Sequence, residues 1–160
     1  MIAENQCAFA CDVMLCALAR WLRAAGYDAA WSNAIDDWDL VRLAKREGRI
    51  LLSADTGIFR IGIIRDGDVA ALQVPNGLSV QEQLAFVMSR MHLAPREPRC
   101  MACGGELAEV PKEQVRDRVS AGSYSRIDRF YLCKRCGQVF WQGAHWPGIA
   151  RRLEQARSLT

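Results

Sequence analysis

Up to about residue 93, the apolar positions alternate between short unbroken runs and helical stripes. The run at residues 7–11 stops at a carboxylate, Asp12. Leu15, Leu18, Ala19, Leu22 and Ala25 then recur at three- and four-residue spacing, which predicts a buried strand followed directly by an amphipathic helix. Gly26 reads as the C-cap of that helix. Residues 27–31 are short and apolar enough for a second strand, and 32–36 read as a loop. Asp37 is placed to cap a helix that carries Leu40, Val41, Leu43 and Ala44 and ends at Gly48. The run at 49–54 is the clearest strand, continuous as expected of a parallel strand covered on both faces, and it too ends on a carboxylate, Asp55. Residues 56–67 predict one short helix and a turn. A fourth strand follows at 69–74, then a turn at 75–77 and a helix over 79–93 with Val80, Leu84, Val87, Met88 and Met91 along one face.

Strands alternating with helices predict an α/β fold with a parallel sheet and right-handed crossovers. If Asp12 and Asp55 act together, the first and third strands are neighbours. That selects the order 2-1-3-4, with its switch point between the two carboxylates. Residues 94–99 form a linker containing Pro95 and Pro98. Beyond it the texture changes to tight turns, cysteine pairs and aromatics, so the expected division is an α/β domain over 1–94 and a small second domain with a C-terminal tail over 95–160.

Of the 160 residues, 51% are hydrophobic and 24% charged, ordinary values for a soluble globular chain. No apolar run approaches the roughly 20 residues of a membrane span, and the N-terminal stretch is a poor signal peptide, so a cytoplasmic location with no membrane partner is expected. The net charge of +3 conceals an asymmetry: residues 1–95 hold 9 Lys and Arg against 11 Asp and Glu, whereas 96–160 hold 12 against 7. A basic module beside a slightly acidic one suits a phosphate-backbone partner, the plain alternative being a surface basic by chance.

Cys100-Met-Ala-Cys103-Gly and Cys133-Lys-Arg-Cys136-Gly are two C-x-x-C-G turns. Four thiolates in two such pairs close a tetrahedral zinc shell, and each glycine lets the backbone fold back so that amides approach sulfur. The 29 residues between the pairs leave room for an inserted helix over 111–119, with Pro111 in its first turn. Two disulfides are the alternative, disfavoured in a reducing compartment. With four cysteine ligands the zinc is structural, because no position stays open for water or substrate. Cys7, Cys11 and Cys16 read as small buried hydrophobes. His92 closes a helix. His145 and Trp146 lie among aromatics that can stack on bases or pack the zinc module, and Lys134 and Arg135 put positive charge on the second cysteine turn.

Asp12, Asp36, Asp37 and Asp55 all fall at loops that a parallel sheet places along one edge. Clustered carboxylates repel unless they share a proton or a cation. Mg²⁺ or Mn²⁺ suits such hard oxygen ligands and supports phosphodiester hydrolysis, which predicts metal-dependent nuclease chemistry beside a basic zinc module. Phosphate-cradling loops of the G-x-x-x-x-G-K or G-x-G-x-x-G kind are missing from the sequence. A receiver domain also carries strand-end aspartates, but it needs a later strand-end lysine, and the 69–74 strand offers none. A non-catalytic RNA- or ribosome-binding module is the remaining alternative.

The residues from Asp12 through Arg20-Trp-Leu-Arg23 to Asp28, then Asp36-Asp37-Trp-Asp-Leu and Gly48-Arg-Ile-Leu-Leu-Ser-Ala-Asp55, resemble the PIN-like ribonuclease domain named after the C-terminus of the Mut-7 exonuclease. In that family a zinc ribbon follows, and residues 100–146 resemble it, including the closing Gly-Ala-His-Trp. The resemblance implies an RNA-cleaving PIN-like domain with Asp12, Asp37 and Asp55 holding a catalytic Mg²⁺ or Mn²⁺ and Asp36 as an additional acid. It implies RNA as the substrate, with ribosome or tRNA among the partners. Arg20 and Arg23 match its Arg-Trp-Leu-Arg pattern and either contact phosphate or solvate the outer helix face. Two departures stand out. Ser53-Ala54-Asp55 replaces the common Thr-Arg-Asp, and a further acid of PIN nucleases has no clear match after Asp55, Asp66 and Asp68 being the nearest.

Overall fold

The computed structural model describes residues 7–159. Four parallel strands, β1 (Ala8–Cys11), β2 (Asp28–Ala30), β3 (Ile50–Ser53) and β4 (Ala71–Gln73), form one sheet in the order β2-β1-β3-β4. The order is the expected one, and it makes β1 and β3 neighbours. Both central strands are apolar up to the buried Ser53 that ends β3, because both of their faces are covered. Phe9, Cys11, Ile50 and Leu52 point into one core, and Ala10 and Leu51 into the other.

The first core is filled by helices α1 (Cys16–Ala24) and α4 (Val80–Arg90), through Leu18, Leu22, Leu84 and Met88. On the opposite face, α2 (Asp37–Glu47) brings Leu40, Val41 and Ala44, and a short helix α3 (Gly62–Arg65) adds Ile64. Residues 56–67 form a 3-10 turn (Ile58–Arg60) and α3, close to the helix and turn expected there. Ser79 and Glu82 close a reciprocal capping box at the start of α4. Gly48 ends α2 in the left-handed conformation at φ 62°, as the sequence predicts.

Residues beyond the first sheet add β5 (Leu107–Val110), β6 (Phe130–Cys133) and β7 (Val139–Phe140), an antiparallel sheet in the order β5-β6-β7. Between β5 and β6, the expected single helix is a 3-10 segment (Lys112–Arg118), followed by a second short helix, α5 (Ala121–Arg126). The stretch read as a tail is instead a helix, α6 (Trp146–Ser158), with Pro147 in its first turn. α6 packs back on α4, and its Leu153 and Ala156 complete the first core. The linker is likewise pinned. Tyr27 donates its hydroxyl to Ala94 O at 2.8 Å, and the amides of Arg96 and Arg99 bond Ala25 O and Arg23 O. Gly26, at φ 94°, is required twice: a Cβ there would stand 2.6 Å from Arg96 Cβ. No described helix is long and apolar enough to cross a membrane.

Candidate acidic site and zinc centre

Asp12 leaves β1 at the switch point and is buried, with 6% of its surface exposed. Its amide still belongs to the sheet, donating to Leu52 O at 2.9 Å, while the side chain turns to cap the 3-10 turn Val13–Leu15, accepting from the Val13 amide at 2.6 Å. Ser53, at the end of β3 and fully buried, donates its hydroxyl to Asp12 Oδ2 at 2.5 Å and accepts from the Asp55 amide at 2.9 Å. One hydroxyl thus bridges the two strand ends. Asp55 is exposed, and its Oδ1 accepts from the Gly57 amide at 2.8 Å. Ser53 escaped the sequence reading, although a serine two residues before a strand-end aspartate was its available signal. Ala54, between Ser53 and Asp55, is buried.

The cap of α2 is Asp36, not Asp37. Asp36 has extended backbone and accepts from the Asp39 amide at 2.8 Å, which leaves Asp37 as the first helical residue with its carboxylate uncommitted to the cap. Partial burial raises the Asp37 pKa above the usual carboxylate range, and the charges of Asp12, Asp55 and Asp36 raise it further. These four acids therefore share one field. They do not converge to a point: among the described residues, only the four cysteines bring three or more ligand atoms within 4.8 Å of one another. Asp66 is paired with Arg65 at 2.8 Å.

Cys100, Cys103, Cys133 and Cys136 form that cluster, with Cys100 Sγ 3.6 Å from Cys136 Sγ and Cys103 Sγ 3.5 Å from Cys133 Sγ. A tetrahedral ion with Zn–S bonds of about 2.3 Å requires sulfur separations of about 3.8 Å, so the cluster fits structural zinc. Amides of Gly105, Arg135 and Cys136 point at sulfur at 3.3–3.4 Å, the arrangement that stabilises thiolates. Burial opposes ionisation of Cys133, but the amides of Cys136 and Arg135 and the neighbouring thiols bring it down to about 6. Burial pushes the Cys100 thiol up to about 12. Gly104 sits at φ 78° with Asp28 Oδ1 2.7 Å from where a Cβ would be, so the first turn admits only glycine there.

Arg23 departs from expectation. It is buried, and its guanidinium donates to Ala29 O at 2.9 Å and to Met101 O and Ala102 O at 2.9 and 3.1 Å. It is a strut between β2 and the first cysteine turn, made through its Nε and Nη1. Arg135 is similarly engaged, bonding Cys103 O at 2.8 Å and Asp28 at 3.4 Å, and Lys134 pairs with Glu106 at 3.0 Å. Arg20 is exposed on α1. His145 is exposed at the N-cap of α6, and Trp146 lines a cleft in the ribbon with Trp141 and with Tyr131 and Phe140, two aromatics the sequence reading had not singled out. Burial pushes the Cys11 thiol up to about 12, in keeping with a packing role.

A parallel sheet with acidic residues at its switch point, joined to a four-cysteine ribbon, has the make-up of a nuclease domain with an attached zinc module. The family model of the Mut7-C RNAse domain matches residues 7–153, and the chain belongs to that family. Comparisons with curated proteins and with solved structures find no match.

Proposed function

We propose that this protein is a divalent-cation-dependent ribonuclease that hydrolyses RNA phosphodiester bonds at the edge carrying Asp12, Asp37 and Asp55, with Asp36 beside them. One observation carries the reading: the Ser53 hydroxyl joins Asp12 to the Asp55 backbone across the switch point, where open α/β sheets bind their ligands. The donor set fits a hard cation such as Mg²⁺ or Mn²⁺, since all four groups are carboxylates and their mutual repulsion is relieved by positive charge. A bound cation of this kind activates water and stabilises the leaving oxygen. The chain's own contribution is orientation. Ser53 and the Val13 amide fix Asp12 in one rotamer, and the Gly57 amide fixes Asp55. Asp37 takes either a proton or a share of a cation, so cation affinity weakens as pH falls through its raised pKa.

We assign cleavage to residues 1–94 and the holding of RNA to the zinc module of 95–160, whose charge is the more positive. None of the seven cysteines forms a disulfide, which supports a reducing compartment such as the cytoplasm. The test is cleavage of single-stranded and structured RNA, including tRNA and ribosomal RNA, in Mg²⁺ or Mn²⁺. Asp12→Asn is expected to lower the rate by about 100-fold or more, as loss of a metal ligand does. Binding without cleavage across a broad RNA panel would leave a non-catalytic RNA-binding protein. Equal rates for both forms would place the site elsewhere.

A further inference from the structure

The ribbon holds a cleft of about 160 Å³ that the acidic edge does not use, walled by Tyr131, Phe140, Trp141 and Trp146, with Pro98, Met101 and Leu107 adding apolar surface and Glu97 and Arg99 one charge of each sign. Strand register builds it. Tyr131 lies opposite Phe140 and Glu109 opposite Tyr131, which puts Leu107, Tyr131 and Phe140 on one face of the β5-β6-β7 sheet. Trp141 is 37% exposed yet held in place. Its ring meets the buried Phe130 edge-on, centroids 5.9 Å apart at 62°, and a Cβ on Gly143 would stand only 3.2 Å from its Nε1. An exposed tryptophan braced in this way presents a rigid aromatic surface at little entropic cost.

A second cleft shares Met101 and Phe140 with the first and extends to Cys16, Arg20, Arg23 and Trp31. The Trp31 indole donates to Val13 O at 3.0 Å, and Val13 follows Asp12 directly. The two clefts thus share Met101 and Phe140 as walls, and the second carries the exposed Arg20 cation.

We propose that the aromatic cleft holds an unpaired base of single-stranded RNA whose backbone then runs past Arg20 to the acidic edge. This deepens the ribonuclease reading and rests on it for the identity of the ligand. Aromatic faces beside cationic side chains bind single strands with little sequence preference, because every base has a π-face. A duplex keeps its bases stacked within the helix and offers none to such a cleft. The excess of Lys and Arg over Asp and Glu in residues 96–160 complements a phosphate backbone and not an apolar peptide.

The test uses the full zinc-loaded chain carrying Asp12→Asn, so that binding is read without cleavage, with fluorescein-labelled oligouridylate and a blunt RNA duplex as probes. Adding Trp141→Ala is expected to weaken oligouridylate binding about 5- to 100-fold. Trp141→Phe, which keeps a π-face, should stay within about threefold, and the slope of affinity against salt should not change, because stacking releases no counterions. Duplex affinity should be indifferent to the substitutions at Trp141 and Tyr131. Zinc content reports whether the ribbon has folded, and Tyr131→Leu, which keeps an apolar strand residue without the ring, gives a second route to the same loss. Unchanged oligouridylate affinity in both variants, or an equal loss for duplex, would overturn the proposal and leave the cleft to a protein partner. A wild-type chain that cleaves no RNA, with Trp141-dependent oligouridylate binding intact, would instead remove the nuclease reading and keep the cleft.

Discussion

Asp37 is where the acidic edge is electrostatically most costly. Its carboxylate is partly desolvated and faces the charges of Asp12, Asp55 and Asp36, so the folded state holds its proton more tightly than the unfolded state does. The sign follows from that. Ionised Asp37 opposes folding above its folded-state pKa, and the penalty is relieved as pH falls through that value toward the ordinary carboxylate range. Asp37→Asn removes the penalty at neutral pH, and because the group is exposed and screened the gain should be only about 0.2–0.5 kcal/mol. Thermal melts at pH 7 without divalent cations should therefore rank Asp37→Asn above wild type. The stability difference between the two forms should shrink as pH falls toward 4. If Asp37 holds the proposed cation, millimolar Mn²⁺ should reverse the ranking, because a ligand bound only by the folded state stabilises it. A variant less stable than wild type without cations would mean that Asp37 is a structural group and not a repelled one.

At the scale of elements, α1 connects the two centres. It begins after the turn that Asp12 caps and ends beside the linker, and from its last turn Arg23 reaches the carbonyls of the first cysteine turn. Replacing Arg23 by Met keeps the length but leaves the carbonyls of Ala29, Met101 and Ala102 without their donor. This should cost about 1–3 kcal/mol, the penalty for an orphaned buried acceptor, since the bond to Ala29 O is buried and the other two are partly so. Denaturant unfolding should show the midpoint fall with zinc still bound; a loss under 1 kcal/mol would mean that water replaces the guanidinium. The strand and helix order of α1 and its neighbours was legible because apolar period marks local structure directly, and so was the pairing of β1 with β3 once two strands were seen to end in aspartate. Arg23 was not legible. An arginine one residue before a helix end looks the same whether it faces water or a carbonyl 78 residues away, and the partner is set by tertiary contact alone. The helical nature of α6 had a signal, Pro147 followed by Ile149, Leu153 and Ala156 at helical spacing, but its packing on α4 had none. Asp36 took the cap from Asp37 because two adjacent aspartates offer two starting points, and only backbone conformation separates them.

In the whole molecule, the zinc module is joined to the sheet at more places than the linker. Arg23 ties β2 and α1 to the first cysteine turn, Arg135 ties the second turn to Asp28 on β2, and α6 returns from the ribbon to close the first core. The two parts meet through groups whose geometry depends on the metal: Met101 O, Ala102 O and Cys103 O lie between or on the first pair of ligands. Zinc binding is folding free energy for a unit of this size, so its removal releases these carbonyls and with them the guanidiniums of Arg23 and Arg135. An unpartnered buried arginine is expensive, and the cost falls on α1 and β2, which hold it, and not on the ribbon alone. Chelation should therefore raise amide hydrogen exchange in two regions: across 100–140, and in the last turn of α1 and in β2, roughly tenfold or more where Arg23 is anchored, since local opening of that region costs about 1.4 kcal/mol less. β3 and α2, which touch neither arginine strut, should keep their protection. Deprotection confined to 100–140 would show instead that the ribbon melts as an independent unit and that the struts are passive contacts.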